Sequence, residues 1–246
     1  MPSKLVIIPT YNEIENIEKI ILAVFELEGQ YHVLIIDDGS PDGTANIVKE
    51  MQIKFPDRLF IVERKGKLGL GTAYITGFKW ALEHNYEYIF EMDADFSHNP
   101  QDLPRLYNAC VNEGADLAIG SRYVSGVNVV NWPIGRVLMS YFASKYVRFV
   151  TGMNIADTTA GFKCYKREVL QTIELDKIRF KGYAFQIEMK FTAYKCGFTL
   201  KEVPIIFINR VLGTSKMNSG IFGEAFLGVV QLKLTSLIRK YPTKKA

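Results

Sequence analysis

Residues 4–120 alternate between short apolar runs and longer segments whose apolar residues recur at helical spacing. Apolar runs bounded by polar loops are typical of buried strands. Their alternation with helices predicts an α/β fold with a mostly parallel sheet and helices on both faces. Strands are predicted at residues 4–8, 32–36, 58–62, 86–90 and 116–119, and helices near 15–25, 44–51, 71–83 and 103–112.

A polar loop follows each predicted strand. In open sheets of this kind ligands bind outside the carboxyl ends of the strands, so the loops are expected to converge on one crevice. They are residues 10–13, 37–40, 65–67, 93–95 and 121–123. The second helix is preceded by Asp42-Gly43-Thr44, where a side-chain oxygen can cap free backbone N–H groups.

Two later helices are apolar around much of their circumference. Residues 134–151 combine aromatic and aliphatic side chains with the cations Arg136, Lys145 and Arg148. This pattern fits either a core helix or a helix lying at a lipid surface. A final helix is predicted at residues 220–240, followed by a basic tail, and Glu224 and Lys233 argue against its spanning a membrane.

The amino-acid composition indicates the size class of the domain and the cellular compartment. The 246 residues are 48% hydrophobic and 23% charged, which suits one well-cored globular chain. Three cysteines without a C-x-x-C pair indicate neither a disulfide framework nor a zinc site, and a reducing, cytoplasmic setting follows. The first apolar run is too short for a signal peptide, and no uncharged run reaches the length of a spanning helix.

Charge is unevenly distributed along the chain. The net charge is +4, yet residues 210–246 carry seven Lys and Arg against Glu224 alone. A basic end of this kind suits an anionic substrate, an anionic membrane surface, or both. No basic stripe interleaves with stacking aromatics, so no nucleic-acid partner is expected.

Two carboxylates, Asp93 and Asp95, stand where the fourth predicted strand ends. Carboxylates are hard oxygen donors suited to Mg2+ or Mn2+, which complete their coordination with substrate phosphate and water. The alternative is a solvated acidic turn. The glycine-rich residues 66–72 fit neither common nucleotide fingerprint, because Tyr74 and Thr72 stand where G-x-G-x-x-G needs Gly and G-x-x-x-x-G-K needs Lys.

Asp38 ends the second predicted strand, and its neighbour Asp37 is expected to point the opposite way because side chains alternate along a strand. One of them can accept hydrogen bonds from a nucleobase or a ribose; capping the next helix is the alternative. In the first loop, Glu13 offers a second acceptor and Tyr11 an aromatic wall, with Pro9 ordering the loop.

These motifs resemble those of the polyprenyl-phosphate mannose synthases, also called dolichol-phosphate mannosyltransferases. They belong to the inverting glycosyltransferases of family 2, which have a GT-A fold, a Rossmann-like nucleotide-diphospho-sugar transferase fold. The resemblance covers the chain almost end to end. It rests on residues 9–13, 37–44, 67–73, 92–100 and 120–123, and more particularly on 131–133, 181–188 and 202–216, with 157–162 as a further match.

The resemblance implies an inverting transfer of mannose from GDP-mannose to a polyprenyl phosphate. It implies that Asp93 and Asp95 hold Mg2+ or Mn2+, with Ser97 left open as a third ligand because some relatives carry Gln there. Catalytic roles would fall to Asp95, Arg122, Arg136 and Arg210, with Arg136 gripping the lipid phosphate. The donor would contact Pro9, Tyr11, Glu13, Ile36, Asp38, Asp93, Ala94 and Asp95, and further substrate-binding residues, Arg122, Arg210 and Lys216, would hold phosphate groups.

The resemblance also implies a peripheral protein on the cytoplasmic side of a membrane, held by its amphipathic helices, its basic tail or a membrane-embedded partner subunit. Residues 1–219 would form the catalytic domain, and residues 220–246 an amphipathic helix and basic tail packed on or beside it. Two alternatives stay open. One is a family 2 transferase using UDP-glucose or a glycan acceptor, and the other is a non-catalytic nucleotide-sugar-binding membrane adaptor.

Overall fold

The computed structural model describes residues 3–209 and 221–244, and its main element is a seven-stranded sheet. The strands of the chain are β1 Lys4–Thr10, β2 Tyr31–Asp37, β3 Leu59–Glu63, β4 Tyr88–Glu91, β5 Leu117–Ser121, β6 Val129–Val130, β7 Lys163–Lys166, β8 Leu200–Pro204 and β9 Phe207–Ile208. The large sheet has the order β3-β2-β1-β4-β7-β5-β8, and β6 pairs with β9 in a second, small sheet. Only β7 runs antiparallel to its neighbours in the large sheet, which confirms the predicted mostly parallel arrangement.

Helices cover both faces of the sheet, as predicted. They are α1 Ile17–Phe25, α2 Thr44–Lys54, α3 Leu70–Glu83, α4 Leu103–Val111, α5 Ile134–Thr151, α6 Arg167–Thr172, α7 Tyr183–Lys195 and α8 Ile221–Thr235. Helices α1, α2 and α4 contribute to the hydrophobic core on one face, and α3, α5, α6, α7 and α8 to the core on the other. The central strands are therefore buried on both sides, which explains their nearly continuous apolar sequence.

Four strands escaped prediction from the sequence: the short β6 and β9, and β7 and β8 of the large sheet. Strand β7 has lysines at both ends, and β8 is an edge strand with Lys201 and Glu202 at its centre, so neither shows an apolar run. Strand ends also differ by a few residues. The predicted first strand stopped at Ile8, but Thr10 still pairs with Asp37 in the ladder, since polar residues keep strand hydrogen bonds.

Helix α5 has the predicted bounds. Pro133 precedes its first residue, and Gly152 ends it in the left-handed conformation at φ 78°. Helix α8 ends at Thr235 rather than at the predicted residue 240, because Leu237 and Ile238 close tighter turns onto carbonyls three residues back.

The C-terminal segment packs on the rest of the chain. The Tyr146 ring of α5 stacks on Phe226 of α8 at 4.3 Å between ring centroids, and Lys244 Nζ donates to Asp116 Oδ2 at 2.8 Å. The predicted domain division at 219/220 falls within residues 210–220, outside the described part of the chain, and stays a prediction. Among the helices of the described residues, none combines the length and apolarity needed to cross a bilayer.

Candidate active site

The first two loops of the crevice are joined by a set of short hydrogen bonds. Asn12 N–H donates to Ser40 Oγ at 3.0 Å, and Glu13 N–H donates to Thr44 Oγ1 at 3.0 Å. Asp42 Oδ1 accepts the Thr44 N–H at 3.0 Å at the start of α2, which confirms the predicted cap. Two separate loops are thereby held as one rigid rim.

The two adjacent aspartates at the end of β2 have different partners. Asp37 is fully buried and accepts from Thr10 Oγ1 at 2.8 Å and from the Ser40 N–H at 2.9 Å, so it fastens the rim. Asp38 Oδ1 accepts from Arg64 Nε at 2.6 Å in an ion pair whose side chains are both more than nine-tenths buried. Neither aspartate caps α2, so the capping alternative is wrong for both.

Arg64 extends the rim to the glycine-rich loop before α3. Its Nη1 donates to Thr72 Oγ1 at 2.8 Å, and its Nη2 donates to the Gly69 carbonyl at 3.4 Å. The Lys67 Nζ of the same loop lies 5.3 Å from the centre of the Tyr11 ring. Sequence reasoning missed Arg64, although its position directly after β3 is where an open sheet places ligand-side residues.

The remaining residues predicted for the nucleoside occupy different depths. Pro9, Tyr11 and Glu13 are half-buried near the end of β1. The Ile36 side chain is fully buried in the hydrophobic core. The prediction that these residues surround a nucleoside stays a prediction.

Asp93 and Asp95 follow β4 in a tight bend. The Asp93 side chain is 41% exposed, whereas Asp95 is buried and its Oδ1 accepts the Ser97 N–H at 3.0 Å. Phe96, between Asp95 and Ser97, adopts φ 60°. This conformation reverses the chain and brings Ser97 back toward Asp95. Ala94 packs into the core. The bend thus presents two carboxylates at the sheet edge, a donor set that fits a hard divalent cation shared with phosphate oxygens.

The surroundings of this bend are strongly negative. Burial raises the pKa of the Tyr74 hydroxyl well above its ordinary value, and the charges of Asp93, Glu91 and Asp95 raise it further. His98 is buried beneath the bend, and its Nδ1 accepts the Asp93 backbone N–H at 3.2 Å. Burial lowers the pKa of His98 to about 4, so the ring is neutral and carries its proton on Nε2.

Arg122 lies on the opposite side of the crevice, just after β5. Its guanidinium makes two hydrogen bonds of 2.6 Å to the carboxylate of Asp157, and its Nη2 also donates to Thr159 Oγ1 at 2.8 Å. Asp157 is fully buried, and burial alone would raise its pKa. The Arg122 charge and hydrogen bonds outweigh that effect and hold the pKa of Asp157 below its ordinary value. The pair therefore stays ionised and fixes the guanidinium.

Trp132 separates the two arginines of this side. Its ring centre lies 5.4 Å from the Arg122 guanidinium carbon and 4.0 Å from that of Arg136. Arg136 Nη1 also donates to Asn209 Oδ1 at 3.2 Å. Two cations are thus held close together by an aromatic spacer, which favours binding of a multiply charged anion. Arg210 and Lys216, predicted for the same task, lie outside the described residues.

A cavity of about 150 Å³ connects the two sides of the crevice. Asp93 and His98 line its acidic end, and Arg122 and Arg136 line its basic end. One face of α5 forms a wall through Met139, Ser140 and Ala143, and the backbone of residues 159–161 forms another. The structure therefore brings Asp93 together with Arg122 and Arg136 in one space.

A buried polar network lies behind the cavity. Glu91 on β4 accepts from Tyr165 Oη at 2.7 Å and from Gln186 Nε2 at 2.8 Å, and Lys163 Nζ lies 3.0 Å from Glu91 Oε1. Lys190 is also buried, and its Nζ donates to the Ala160 carbonyl at 2.6 Å in the cavity wall. Burial lowers the pKa of both lysines.

Sequence reasoning assigned no role to this network. Its lysines carry the polarity of surface residues, and their partners come from distant parts of the chain. The only signal was indirect, because residues 157–162 and 181–188 belong to the motifs that carry the family resemblance.

Comparison with known proteins identifies the family. Residues 5–174 match the glycosyl transferase family 2 domain, and the chain belongs to that family. It is 49% identical to polyprenol monophosphomannose synthase of Mycolicibacterium smegmatis over 92% of this chain and 85% of that protein. It is also 44% identical to undecaprenyl-phosphate mannosyltransferase of Micrococcus luteus over 94% of each chain.

The fold is shared with more distant structures. The glucosyl-3-phosphoglycerate synthase of Mycobacterium tuberculosis, solved with Mn2+, uridine diphosphate and glucosyl-3-phosphoglycerate, superposes with a TM-score of 0.66. The identity is 18%, over 95% of this chain and 79% of that one. At this identity the likeness concerns the fold alone, and it confirms the predicted GT-A arrangement.

Proposed function

We propose that this protein transfers mannose from GDP-mannose to a polyprenyl phosphate, with inversion at the anomeric carbon. The observation that carries the proposal is the single cavity that joins Asp93 to Arg122 and Arg136. A transferase of this kind must hold a leaving diphosphate at one end of its site and an attacking phosphate at the other. The relatives named polyprenol monophosphomannose synthase and undecaprenyl-phosphate mannosyltransferase support both the sugar and the acceptor.

The acidic end is assigned to the diphosphate and a divalent cation. Asp93 and Asp95 would hold Mg2+ or Mn2+, and Ser97 is the open third position. The ion, when bound, neutralises charge that develops on the leaving diphosphate. The negative surroundings of the bend favour a cation there and would repel a diphosphate that arrives without one.

The basic end is assigned to the lipid phosphate. A phosphate oxygen is already anionic near neutral pH, so the nucleophile needs no strong general base. Arg122 and Arg136 orient it, with Arg210 and Lys216 proposed for the phosphates as well. Asp157 holds Arg122 in one orientation by two charge-assisted hydrogen bonds, which limits the reorganisation needed during reaction.

The nucleoside is assigned to the joined rim of the first two loops. Asp38 accepts hydrogen bonds from the base, Tyr11 offers a ring face, and Pro9, Glu13 and the Ile36 backbone complete the surroundings. GDP is the nucleotide that the family resemblance implies, and UDP-glucose is the competing donor. The degree to which each nucleotide protects the protein from thermal unfolding distinguishes the two.

A lipid acceptor requires contact with a membrane surface, and α5 and α8 are assigned to it. Both helices bury one side and expose apolar side chains on another. On α5 these are Ile134, Leu138, Phe142 and Phe149, and on or just after α8 they are Phe226, Leu227, Val230, Leu234, Leu237 and Ile238. The same two helices carry Lys145, Arg148 and Lys233, which suits an anionic interface. A membrane-embedded partner subunit is compatible with the same surface.

The test is transfer of labelled mannose from GDP-mannose into an organic-extractable product. Purified protein is supplied with a short polyprenyl phosphate and with Mg2+, Mn2+ or a chelator. We expect a lipid product that requires the metal and is not formed from UDP-glucose. Equal or better transfer from UDP-glucose would overturn the donor assignment, and hydrolysis or transfer of any kind would exclude a non-catalytic adaptor.

A further inference from the structure

Gln186 on α7 is a buried side chain in the cavity wall, and its amide is held in one orientation. Its Nε2 donates to Glu91 Oε2 at 2.8 Å, and its Oε1 accepts from Lys163 Nζ. Glu91 and Lys163 are themselves fully buried and paired with each other. An ionised carboxylate accepts only and an ammonium donates only, so the amide cannot turn over without losing both bonds.

A primary amide nitrogen has two N–H groups, and Glu91 takes one. Among the residues that the structure describes, no protein group accepts the other. Gln186 is 4% exposed, so an unused N–H at this depth carries a desolvation cost unless a ligand takes it.

The space beside this amide is kept open by a glycine. A Cβ added to Gly161 would lie 3.5 Å from Gln186 Nε2 and 3.9 Å from His98 Cε1. All three residues line the cavity. The missing side chain of Gly161 therefore leaves room next to the amide.

We infer that Gln186 Nε2 donates a hydrogen bond to a hydroxyl of the transferred sugar and thereby selects among hexoses. This inference rests on the proposed function. In a direct displacement the sugar lies between the leaving diphosphate and the attacking phosphate, and Gln186 lines the same cavity as Asp93, Arg122 and Arg136. A sugar that lacks the matching hydroxyl leaves the amide N–H unpaired, which is a strong basis for discrimination.

The test compares kcat/KM for GDP-mannose with that for four analogues, each lacking one of the 2-, 3-, 4- and 6-hydroxyls. We expect one analogue to lose about tenfold or more with the wild-type protein, the scale of one lost hydrogen bond. In Gln186→Leu that penalty disappears, because GDP-mannose is slowed to the level of the analogue. Protection from unfolding by GDP, which lacks the mannose, stays unchanged.

Tyr165→Phe is the matched control. It removes one hydrogen bond to Glu91 from the same buried network, but Tyr165 does not line the cavity. For each of the four analogues, this variant should show the same loss of kcat/KM relative to GDP-mannose as the wild-type protein. Gly161→Ala is a second variant that leaves the network intact and fills the assigned space. It should lower kcat/KM for GDP-mannose severalfold without weakening GDP binding.

The outcomes separate this inference from the proposed function. Wild-type protein that transfers no mannose from GDP-mannose overturns the proposed function, and this inference fails with it. Active wild-type protein whose four penalties all persist in Gln186→Leu overturns the inference alone. Unchanged kinetics in Gly161→Ala would also overturn it, because the space beside Gln186 would then hold no sugar.

Discussion

Each side of the crevice contains one buried pair of arginine and aspartate, and the two pairs are used in opposite ways. On the donor side Arg64 supports Asp38, and in our proposal the carboxylate meets the base. On the proposed acceptor side Asp157 supports Arg122, and in the same proposal the guanidinium meets phosphate. The charge that faces the ligand is negative on the donor side and positive on the acceptor side. In both cases a buried ion pair orients the charged group.

In both pairs a buried charge is stabilised by an ion-pair partner and remains available to a ligand. A single buried charge is costly, and a partner offsets that cost while fixing the direction of the remaining hydrogen-bonding capacity. On the acceptor side the support is deeper, because Asp157 is itself held through its backbone. Glu202 accepts the N–H groups of Ala156 and Asp157 at 2.6 and 2.8 Å.

The largest expected effect is on the acidic end. Asp95→Ala should reduce mannose transfer at least about a hundredfold, since removing one pre-aligned electrostatic contact commonly costs that much. Circular dichroism and the unfolding midpoint should change little. The matched control is Asp102→Asn, because Asp102 is equally buried but pairs with Arg105 and has no role in the proposed site. Substantial metal-dependent transfer by Asp95→Ala would contradict the assignment.

Removing the supported cation on the acceptor side should affect both stability and activity. Arg122→Met leaves the Asp157 carboxylate buried without its guanidinium. We expect the free energy of unfolding at pH 7 to fall by about 3 kcal/mol in urea titrations. Adding Asp157→Asn should restore most of that stability without restoring transfer. Restored transfer would show that Arg122 has only a structural role.

For Arg122→Met we also expect the loss in the free energy of unfolding to depend on pH. In the wild-type protein the pKa of Asp157 is held below 3.8, so the pair stabilises the fold above about pH 4, and this contribution is lost as the pH falls through the folded pKa. In Arg122→Met, burial raises the pKa of Asp157, and its penalty disappears at low pH. The stability difference should therefore shrink as the pH falls, first through the raised pKa of Asp157 in the variant and then through the lowered wild-type pKa. A difference that is constant with pH would contradict the ion-pair explanation.

The donor-side pair should show a smaller effect on binding. Arg64→Met leaves Asp38 without the contact that orients it, and we expect GDP to bind about tenfold more weakly by calorimetry. Lys49→Met is the matched control, because it breaks an exposed pair with Glu63 on the adjoining β3. If both variants bind GDP equally well, the donor and acceptor sides are not built alike.

The smallest expected effect concerns the membrane surface, which our proposal places only on the acceptor side. Phe142→Glu on α5 should weaken binding to anionic lipid vesicles severalfold in sedimentation assays. Ile53→Glu on α2 replaces an even more exposed apolar residue away from α5 and α8, and it should leave vesicle binding unchanged. Equal loss in both variants would contradict a defined membrane face.

The two sides also differ in how far the sequence predicts them. Asp38, Asp93 and Asp95 directly follow apolar strands, so hydrophobic pattern and topology together locate them. The support of Arg122 comes from Asp157, which is 35 residues away. No local pattern connects these two positions.

The buried network around Glu91 and Lys163 was not predicted for the same reason: its partners lie far apart in the sequence. Lys163 lies on β7, the antiparallel strand inserted between β4 and β5, and a lysine there predicts surface rather than core. It becomes buried only because Glu91 stands opposite it across the pairing with β4. The order of strands in a sheet is therefore needed before such charges can be paired.

The central claim is a direct displacement between the two ends of one cavity, and the configuration of the product tests it most directly. Polyprenyl phosphate mannose made by the purified protein is isolated, and its anomeric configuration is determined by NMR. We predict a configuration opposite to that of the mannose in GDP-mannose. A product with the donor's configuration would contradict a single inverting displacement, because retention through a covalent intermediate requires two displacements at the anomeric carbon.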